Sequence, residues 1–494
     1  MIADKRKPEK LSTIILGLAL AIGAYLRFYQ LGAYELTADE AQSWYAAAAP
    51  TLGYVLRLGL ILEPGKLGLH NLALHFWIMA FGDSVISMRS LSVVLGVTGI
   101  MLIFVAVREL LEYHAGSSGL PRYESERVAA LSALIFALSL PAIHYSREAR
   151  TYPLILALVP AQVWLFIRAA RLRRVIHLLG AASLSFLLVA SSLVNVAVLV
   201  AQGIWLLTLF RRSDWRLRWP LSGRVSSLAA LLIPGAVAVA LMVATARDPS
   251  DVYGETQYWW QRAGAVSFIQ TARMAPLNAM CVLTIGLALW GTIRGWRKAR
   301  AAIWLILLWM WLPVLLLACS LGSVAPLLVI ILSFWFPNFL QRYVLTCIVP
   351  FSILAAVGIW QIRPTALRLG ALTLFVGLAL TRIASYYRSP GEGVGEWRIQ
   401  WREAAAFAES EAQAGRPIVL YPDYCKFVLF YYARRSTIVP AFTKGAHLLI
   451  FANNAGDPSD PDLPALIWSY PLYIARFEGV SVRGDLSMMG AYRR

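Results

Sequence analysis

The sequence predicts a polytopic α-helical membrane protein with a small C-terminal α/β unit, on the basis of its composition and its apolar runs. Of 494 residues, 59% are apolar or aromatic and 15% are charged, which is typical of helices dissolved in lipid. Runs of about 20 apolar residues, enough helix to cross a ~30 Å hydrocarbon core, recur through the first part of the chain. Because the composition becomes ordinary near Tyr386, we predict a transmembrane domain over 1–385 and a C-terminal domain over 386–494.

Basic residues set the orientation of the spans. The formal charge of +18 would suit a nucleic-acid-binding protein, but the lysines and arginines cluster at alternate ends of the apolar runs. Such clusters mark cytoplasmic loops under the positive-inside rule. They lie at 5–10, 168–174, 211–224 and 294–300. We therefore predict a cytoplasmic N-terminus and no nucleic-acid partner.

About eleven membrane spans are predicted when the basic clusters are used to assign the direction of each span. They cover 11–29, 87–111, 128–145, 152–170, 178–193, 195–211, 226–245, 276–293, 302–320, 343–360 and 367–385. An odd number of spans with a cytoplasmic N-terminus places the C-terminal domain on the outward side.

Residues 30–86 form a long outward loop that is nearly free of lysine and arginine and is only partly apolar. Two amphipathic helices in the membrane interface explain this pattern. One is predicted to begin near Thr37 and the other to cover 67–81, with His70 and Asn71 turned away from lipid. The alternative, a second helix that crosses the bilayer, would place two basic loops outside, and we reject it.

Residues after 386 alternate polar and apolar side chains. Strands are predicted at 417–421, 437–440 and 447–451, and a helix at 426–434. We interpret this small α/β unit as a cover or an acceptor-recognition domain.

The segment Thr37-Ala38-Asp39-Glu40 is the strongest local feature of the outward loop. Thr37 and Glu40 have the spacing of a helix capping box, which explains Glu40 in structural terms. Asp39 is left without a structural reason. Because an acidic residue close to lipid is costly unless it is paired or functional, Asp39 is a candidate functional residue.

Short motifs in a fixed order resemble the GT-C glycosyltransferases of the protein O-mannosyltransferase and aminoarabinose transferase type. These motifs are Arg27 with Leu31-Gly32, Asp39-Glu40-Ala41, Phe81-Gly82-Asp83-Ser84 with Arg89, Tyr145 to Tyr152 around Glu148-Ala149-Arg150, and Gln341-Arg342-Tyr343. The resemblance implies a GT-C fold and transfer of a sugar from a polyprenyl-phosphate donor to a lipid, glycan or protein acceptor. It also implies that the transfer takes place at the periplasmic face of a bacterial inner membrane, in contact with membrane lipids. Asp39 would then be the general base, supported by Glu40.

The leaving polyprenyl phosphate gains charge as the glycosidic bond breaks, so cations are needed beside it. Lys66, Arg89, Arg150 and Arg342 are predicted on the outward side and are candidate donor-phosphate ligands. Many family members have His-Pro-Pro-Leu where this chain has Lys66-Leu67-Gly68-Leu69, whereas the aminoarabinose type has a lysine there. Contact of the three arginines with lipid headgroups is the structural alternative.

Four further residues are candidate substrate ligands: Glu148, Tyr152, His70 and Tyr343. For Glu148, an ion pair with a neighbouring arginine is the structural alternative. No cofactor is expected. The histidines lack ligand spacing, although Asp39 and Glu40 with phosphate oxygens would suit a divalent cation.

Two other functions compete with this hypothesis. A secondary transporter or lipid flippase would also have many spans, but its coupling acids would lie in mid-membrane, where the predicted spans have none. A polymerase or ligase of lipid-linked glycans differs in the place of its essential acid, which would lie in a late outward loop.

Overall fold

A computed structural model describes most of the transmembrane part and the secondary structure elements of the C-terminal part. The described residues are 7–63, 65–118, 122–172, 174–210, 221–245, 279–320, 345–388, 400–414, 418–421, 425–433, 448–452, 472–477 and 480–484. Five helices among them are long and apolar enough to cross a membrane. They contain Lys10–Phe28, Val85–Tyr113, Tyr152–Leu172, Val225–Thr245 and Thr365–Arg388. The chain is a multi-pass membrane protein.

The described residues up to 388 form fourteen α-helices and two short 3-10 turns, at Leu193–Asn195 and Leu345–Cys347. The helices are α1 Lys7–Phe28, α2 Ala38–Ala47, α3 Leu52–Leu62, α4 Leu69–Phe81, α5 Val85–Ser118, α6 Arg122–Ala137, α7 Leu140–Tyr145, α8 Tyr152–Leu172, α9 Val175–Ser191, α10 Val196–Phe210, α11 Leu221–Thr245, α12 Ala279–Ser320, α13 Ile348–Trp360 and α14 Thr365–Arg388.

Three predicted spans differ from the observed helices in their boundaries. The span predicted at 128–145 is divided into α6 and α7, because Pro141 lies in the first turn of α7 and starts a new helix there. The spans predicted at 276–293 and 302–320 lie in the single helix α12, since the basic residues between them favour helix. The count of eleven spans stays a prediction.

Helix α12 is not straight. A Cβ atom at Gly295 would lie 3.0 Å from Cδ1 of Ile303. The rings of Trp296 and Trp304 are 6.4 Å apart. Eight residues of straight helix rise about 12 Å, so α12 bends sharply between these pairs. Such a bend is consistent with two spans meeting at the basic residues.

Close helix contacts build the core. Helix α5 packs along α8, α6 and α1, and α13 packs along α12. A Cβ atom at Gly358 would overlap the carbonyl oxygen of Leu287, so glycine lets the backbones of α12 and α13 touch. This bundle carries the segment between α1 and α5.

The segment predicted as an outward loop contains three helices instead of the two that the sequence predicts. Helices α2 and α4 confirm the predicted pair, while α3, capped by Thr51, is additional. The predicted amphipathic pattern of α4 is also observed. His70 and Asn71 are buried, whereas Phe76 and Met79 are exposed.

The described C-terminal residues contain helices α15 Trp401–Gln413 and α16 Lys426–Tyr432 and a four-stranded sheet. The strands are β1 Ile418–Tyr421, β2 Leu448–Ala452, β3 Leu472–Phe477 and β4 Val480–Gly484, in the order β1-β2-β4-β3. Strands β1 and β2 are parallel, and the other pairs are antiparallel. The predictions at 417–421, 426–434 and 447–451 match β1, α16 and β2, whereas the strand predicted at 437–440 lies outside the described residues.

Candidate active site

The site is built on the first turn of α2. The predicted capping box is present: the backbone N–H of Glu40 donates to Thr37 Oγ1 at 3.2 Å, and the N–H of Thr37 donates to Glu40 Oε2 at 3.0 Å. This cap places Asp39 and Glu40 side by side at the start of the helix. Their environments are opposite, since Glu40 is fully buried while the Asp39 side chain is 34% exposed.

Arg89 of α5 holds Glu40 in a two-pronged ion pair. Nε donates to Oε1 at 2.8 Å and Nη2 donates to Oε2 at 2.7 Å. The backbone N–H of Ala149 donates to Oε1 as well, at 2.9 Å. Burial tends to raise the pKa of Glu40, but Arg89 outweighs it, and this pKa lies below its usual value. Glu40 is therefore a carboxylate that ties α2 to α5 and to the loop before α8.

The other donors of Arg89 are also used. Nη1 donates to the carbonyl oxygens of Leu31 and Tyr34, and Nη2 donates to that of Glu35. With Glu40 these acceptors engage all three guanidinium nitrogens. Arg89 thus holds the chain between α1 and α2 in place.

Arg150 holds the Asp39 end of the same turn. Nη1 donates to the backbone oxygen of Asp39 at 2.7 Å and to Ser43 Oγ at 3.2 Å. Nη2 lies 3.6 Å from Asp39 Oδ2. The exposed carboxylate of Asp39 consequently has a buried cation beside it.

Glu63, at the end of α3, joins two cations. Oε1 lies 2.5 Å from Arg150 Nη1, and Oε2 lies 3.2 Å from Lys66 Nζ. Burial tends to raise the pKa of Glu63, but Arg150 and Lys66 lower it to about 2. Burial lowers the pKa of Lys66, and the neighbouring Glu63 carboxylate partly opposes that effect. Two cations thus share one carboxylate.

The loop that carries Lys66 is fixed to the end of α9. The N–H of Leu193 donates to the carbonyl oxygen of Gly65 at 2.9 Å, and the N–H of Leu67 donates to that of Ala190 at 2.8 Å. Gly65 has a φ angle of 80°, a conformation that favours glycine. Lys66 lies between these two hydrogen-bonded residues in the sequence, and its Nζ is 5.6 Å from the centre of the Tyr152 ring.

His70 and Asn71 lie at the start of α4 beside this group. They are 2% and 0% exposed, and among the described residues neither His70 nitrogen and neither Asn71 amide atom has a hydrogen-bond partner. Burial lowers the pKa of His70 to about 3, so the imidazole is neutral.

Glu148 belongs to a second chain of polar groups. Its Oε1 lies 3.1 Å from His144 Nε2, and His144 Nδ1 lies 3.1 Å from the Tyr386 hydroxyl. The structural alternative for Glu148 was an ion pair with a neighbouring arginine, but the side chain in close contact with it is His144. Arg147 turns away to the ring of Tyr387, 4.7 Å from its centre.

Helix α16 packs on the outer side of α2. The N–H of Leu36 donates to the Tyr432 hydroxyl at 3.0 Å, and the Tyr431 hydroxyl donates to the carbonyl oxygen of Asp83 at 2.9 Å. The Trp44 ring contacts that of Tyr431, with centroids 5.1 Å apart. The C-terminal part therefore contacts the segment that carries Asp39.

The structure brings together six of the predicted residues: Asp39, Glu40, Lys66, His70, Arg89 and Arg150. Arg342 and Tyr343 lie outside the described residues. Sequence reasoning missed Glu63 and Asn71. Glu63 had one usable signal, an acidic residue that ends an apolar run three positions before Lys66.

No group of three or more His, Cys, Asp or Glu side chains in the described part of the chain is arranged to hold a metal ion. Glu40 does not suit a cation shared with Asp39, because both of its oxygens already accept hydrogen bonds. Glu40 is therefore not a suitable ligand for the divalent cation considered from the sequence.

The fold is that of a GT-C glycosyltransferase. The archaeal oligosaccharyltransferase AglB from Archaeoglobus fulgidus, in complex with an inhibitory peptide and a dolichol-phosphate, is similar with a TM-score of 0.51 and 11% identity over 97% of this chain and 75% of that one. At this identity the likeness shows the fold alone.

ArnT from Cupriavidus metallidurans gives lower scores. Its apo structure has a TM-score of 0.49 with 14% identity, over 97% of this chain and 99% of that one. The structure bound to undecaprenyl phosphate has a TM-score of 0.46 with 13% identity, over 95% and 98%. No family model matches the chain, and the search of curated proteins found no significant match.

Proposed function

We propose that this protein is a glycosyltransferase that moves a sugar from a polyprenyl-phosphate donor to a lipid, glycan or protein acceptor. Asp39 is the general base, and Lys66 and Arg150 bind the donor phosphate. One observation carries the proposal: the partly exposed carboxylate of Asp39 lies 3.6 Å from the buried guanidinium of Arg150, which shares Glu63 with Lys66.

The charges of the group suit a phosphodiester. Lys66, Arg150 and Glu63 together carry one net positive charge, which would meet the one negative charge of a glycosyl phosphodiester. Without a donor, the carboxylate of Asp39, 3.6 Å from Arg150 Nη2, balances that charge. As the bond to the sugar breaks, the leaving phosphate gains charge, and cations already in place stabilise it more than they stabilise the bound donor. Arg342 is proposed as a further ligand from the sequence alone.

Asp39 and Glu40 have different roles in this proposal. A base must have an oxygen that reaches the substrate, and Asp39 has a partly exposed carboxylate. Glu40 is enclosed by its partners, and Arg89 has its guanidinium nitrogens engaged. We therefore assign Glu40 and Arg89 to positioning Asp39, and we no longer place Arg89 at the donor phosphate.

The transfer is proposed to be a single displacement with inversion. The acceptor hydroxyl loses its proton to Asp39 and attacks the anomeric carbon, while the bond to the phosphate oxygen breaks on the opposite face of the sugar. A positioned base typically contributes 10²–10⁴-fold, or about 3–5 kcal/mol.

The setting of the reaction is proposed to be the periplasmic face of a bacterial inner membrane. Eleven spans, a cytoplasmic N-terminus and a periplasmic α/β domain over 386–494 complete this topology. Contacts of α16 with Leu36 and Asp83 support a C-terminal part on the side of the site. Glu148 and Tyr152 are proposed to contact the substrate.

The test uses the purified full-length protein with undecaprenyl-phosphate sugars and a lipid extract that contains acceptors. We expect release of undecaprenyl phosphate together with a glycosylated product of inverted anomeric configuration. Retention would contradict the single displacement. Movement of the intact donor across a vesicle membrane without bond cleavage would support a flippase instead.

A further inference from the structure

The start of α4 holds two buried polar side chains that the proposed chemistry does not use. Neither His70 nor Asn71 has a hydrogen-bond partner among the described residues. A buried polar group without a partner destabilises the folded protein, so such groups are rare unless a water or a ligand satisfies them. Two of them in adjacent positions point to a ligand with several hydroxyl groups.

His70 lies near the cluster that contains the proposed phosphate ligands, and Asn71, the next residue of α4, packs against α3. His70 interacts electrostatically with Glu63, Arg150 and Lys66. Asn71 faces α3, where a Cβ atom at Gly59 would lie 3.5 Å from its amide oxygen.

Glu63 directly follows the last residue of α3, and its backbone N–H donates to the carbonyl oxygen of Gly59 at 3.2 Å. Gly59 therefore lies next to both Asn71 and Glu63. The amide and the imidazole consequently border one region next to the cations.

The two side chains select for an uncharged partner. Asn71 has a neutral amide, and burial keeps the His70 imidazole neutral by lowering its pKa. Each side chain therefore has both a hydrogen-bond donor and an acceptor but no charge. The nearest carboxylate, Glu63, is already shared by two cations and is not available to an ammonium group.

We propose that His70 and Asn71 bind hydroxyl groups of the donor sugar, and that this sugar is uncharged. The inference rests on the proposed function, because Lys66 and Arg150 must hold the phosphate for the sugar to reach α4. It makes Asn71 a specificity residue and disfavours an amino sugar as the natural donor.

The test measures binding to the purified full-length protein in nanodiscs. The probes are undecaprenyl phosphate without sugar, the same carrier with glucose, mannose or N-acetylglucosamine, and the carrier with aminoarabinose. We expect at least one uncharged sugar to bind more tightly than the bare phosphate and the amino sugar. His70→Phe and Asn71→Leu should each lose about 5-fold of that gain, which corresponds to one hydrogen bond. Affinity for bare undecaprenyl phosphate should not change.

Thermal unfolding separates binding from a structural role. Since both substitutions replace an unpartnered polar group by an apolar one of similar shape, we expect the double variant to raise the Tm of the unliganded protein. A lower Tm would indicate a structural role and overturn the proposal. His75→Gln is the matched control, because His75 lies on the same helix but contacts the carbonyl oxygen of Ala47.

The outcomes distinguish the two claims. If wild-type protein binds bare undecaprenyl phosphate but gains nothing from any uncharged sugar, or prefers aminoarabinose, the sugar site is wrong and the proposed function survives. If it binds none of the probes, the proposed function itself fails.

Discussion

Arg89 donates to both oxygens of Glu40, at 2.8 and 2.7 Å, although 49 residues separate them along the chain. This pair lies directly behind Asp39 and joins α5 to the first turn of α2. The position of the proposed base therefore depends on a buried ion pair that does not itself reach the substrate.

Glu40→Gln should destabilise the protein and reduce transfer together. Removing one partner of a buried ion pair leaves the other charge uncompensated, at a cost of about 3–5 kcal/mol. The measurements are the Tm in detergent and kcat at saturating donor. Glu148→Gln is the comparison, since its side chain is 13% exposed and we expect a smaller loss of Tm. An unchanged Tm for Glu40→Gln would contradict the positioning role.

Lys66→Ala should weaken donor binding. Loss of a charged contact to phosphate costs about 1.5–3 kcal/mol, or roughly 10- to 100-fold in affinity. Binding of undecaprenyl phosphate is the direct measurement, and the donor KM should rise in parallel. Lys10→Ala, at an exposed position of α1, is the control. Equal affinities for the two variants would remove Lys66 from the phosphate site.

Tyr432→Phe tests the contact between the C-terminal part and the site. The substitution removes the acceptor of the Leu36 N–H, and an unsatisfied buried donor costs about 1–3 kcal/mol. We expect a lower Tm and a lower kcat, with little change in donor KM. Tyr54→Phe, whose side chain is 54% exposed, should change neither. Wild-type values for Tyr432→Phe would show that α16 does not position α2.

His70 should make stability depend on pH below neutrality. Burial lowers its pKa to about 3, against 6.5 for an unperturbed histidine, so the unfolded chain binds a proton first as the pH falls. Stability is then complete above 6.5 and falls by about 1.4 kcal/mol per pH unit towards 3. Between pH 7.5 and 5 the Tm of His70→Phe should fall less than that of the wild type. Parallel curves would contradict a buried neutral imidazole.

Local sequence patterns predicted the helix that carries the site. The Thr37 and Glu40 spacing gave the capping box, and the amphipathic pattern of 67–81 gave α4 with His70 and Asn71 buried. These features depend on neighbouring residues, so periodicity and cap chemistry were sufficient.

Long-range pairing was not predictable from the same patterns. Nothing in the sequence matches Arg89 to Glu40, or Tyr432 to Leu36 across 396 positions. Helix α3 was missed because 52–62 is apolar on most sides, and Glu63 was missed with it. The partners of each charge therefore became known only from the fold.

Asp39→Asn tests the central claim most directly. The substitution keeps the size of the side chain and removes the base, so kcat with an undecaprenyl-phosphate sugar should fall by about 10²–10⁴-fold while Tm and donor affinity stay near wild type. Asp83→Asn, an exposed aspartate of the same outward region, should retain transfer. Near-normal turnover by purified Asp39→Asn protein would contradict the account.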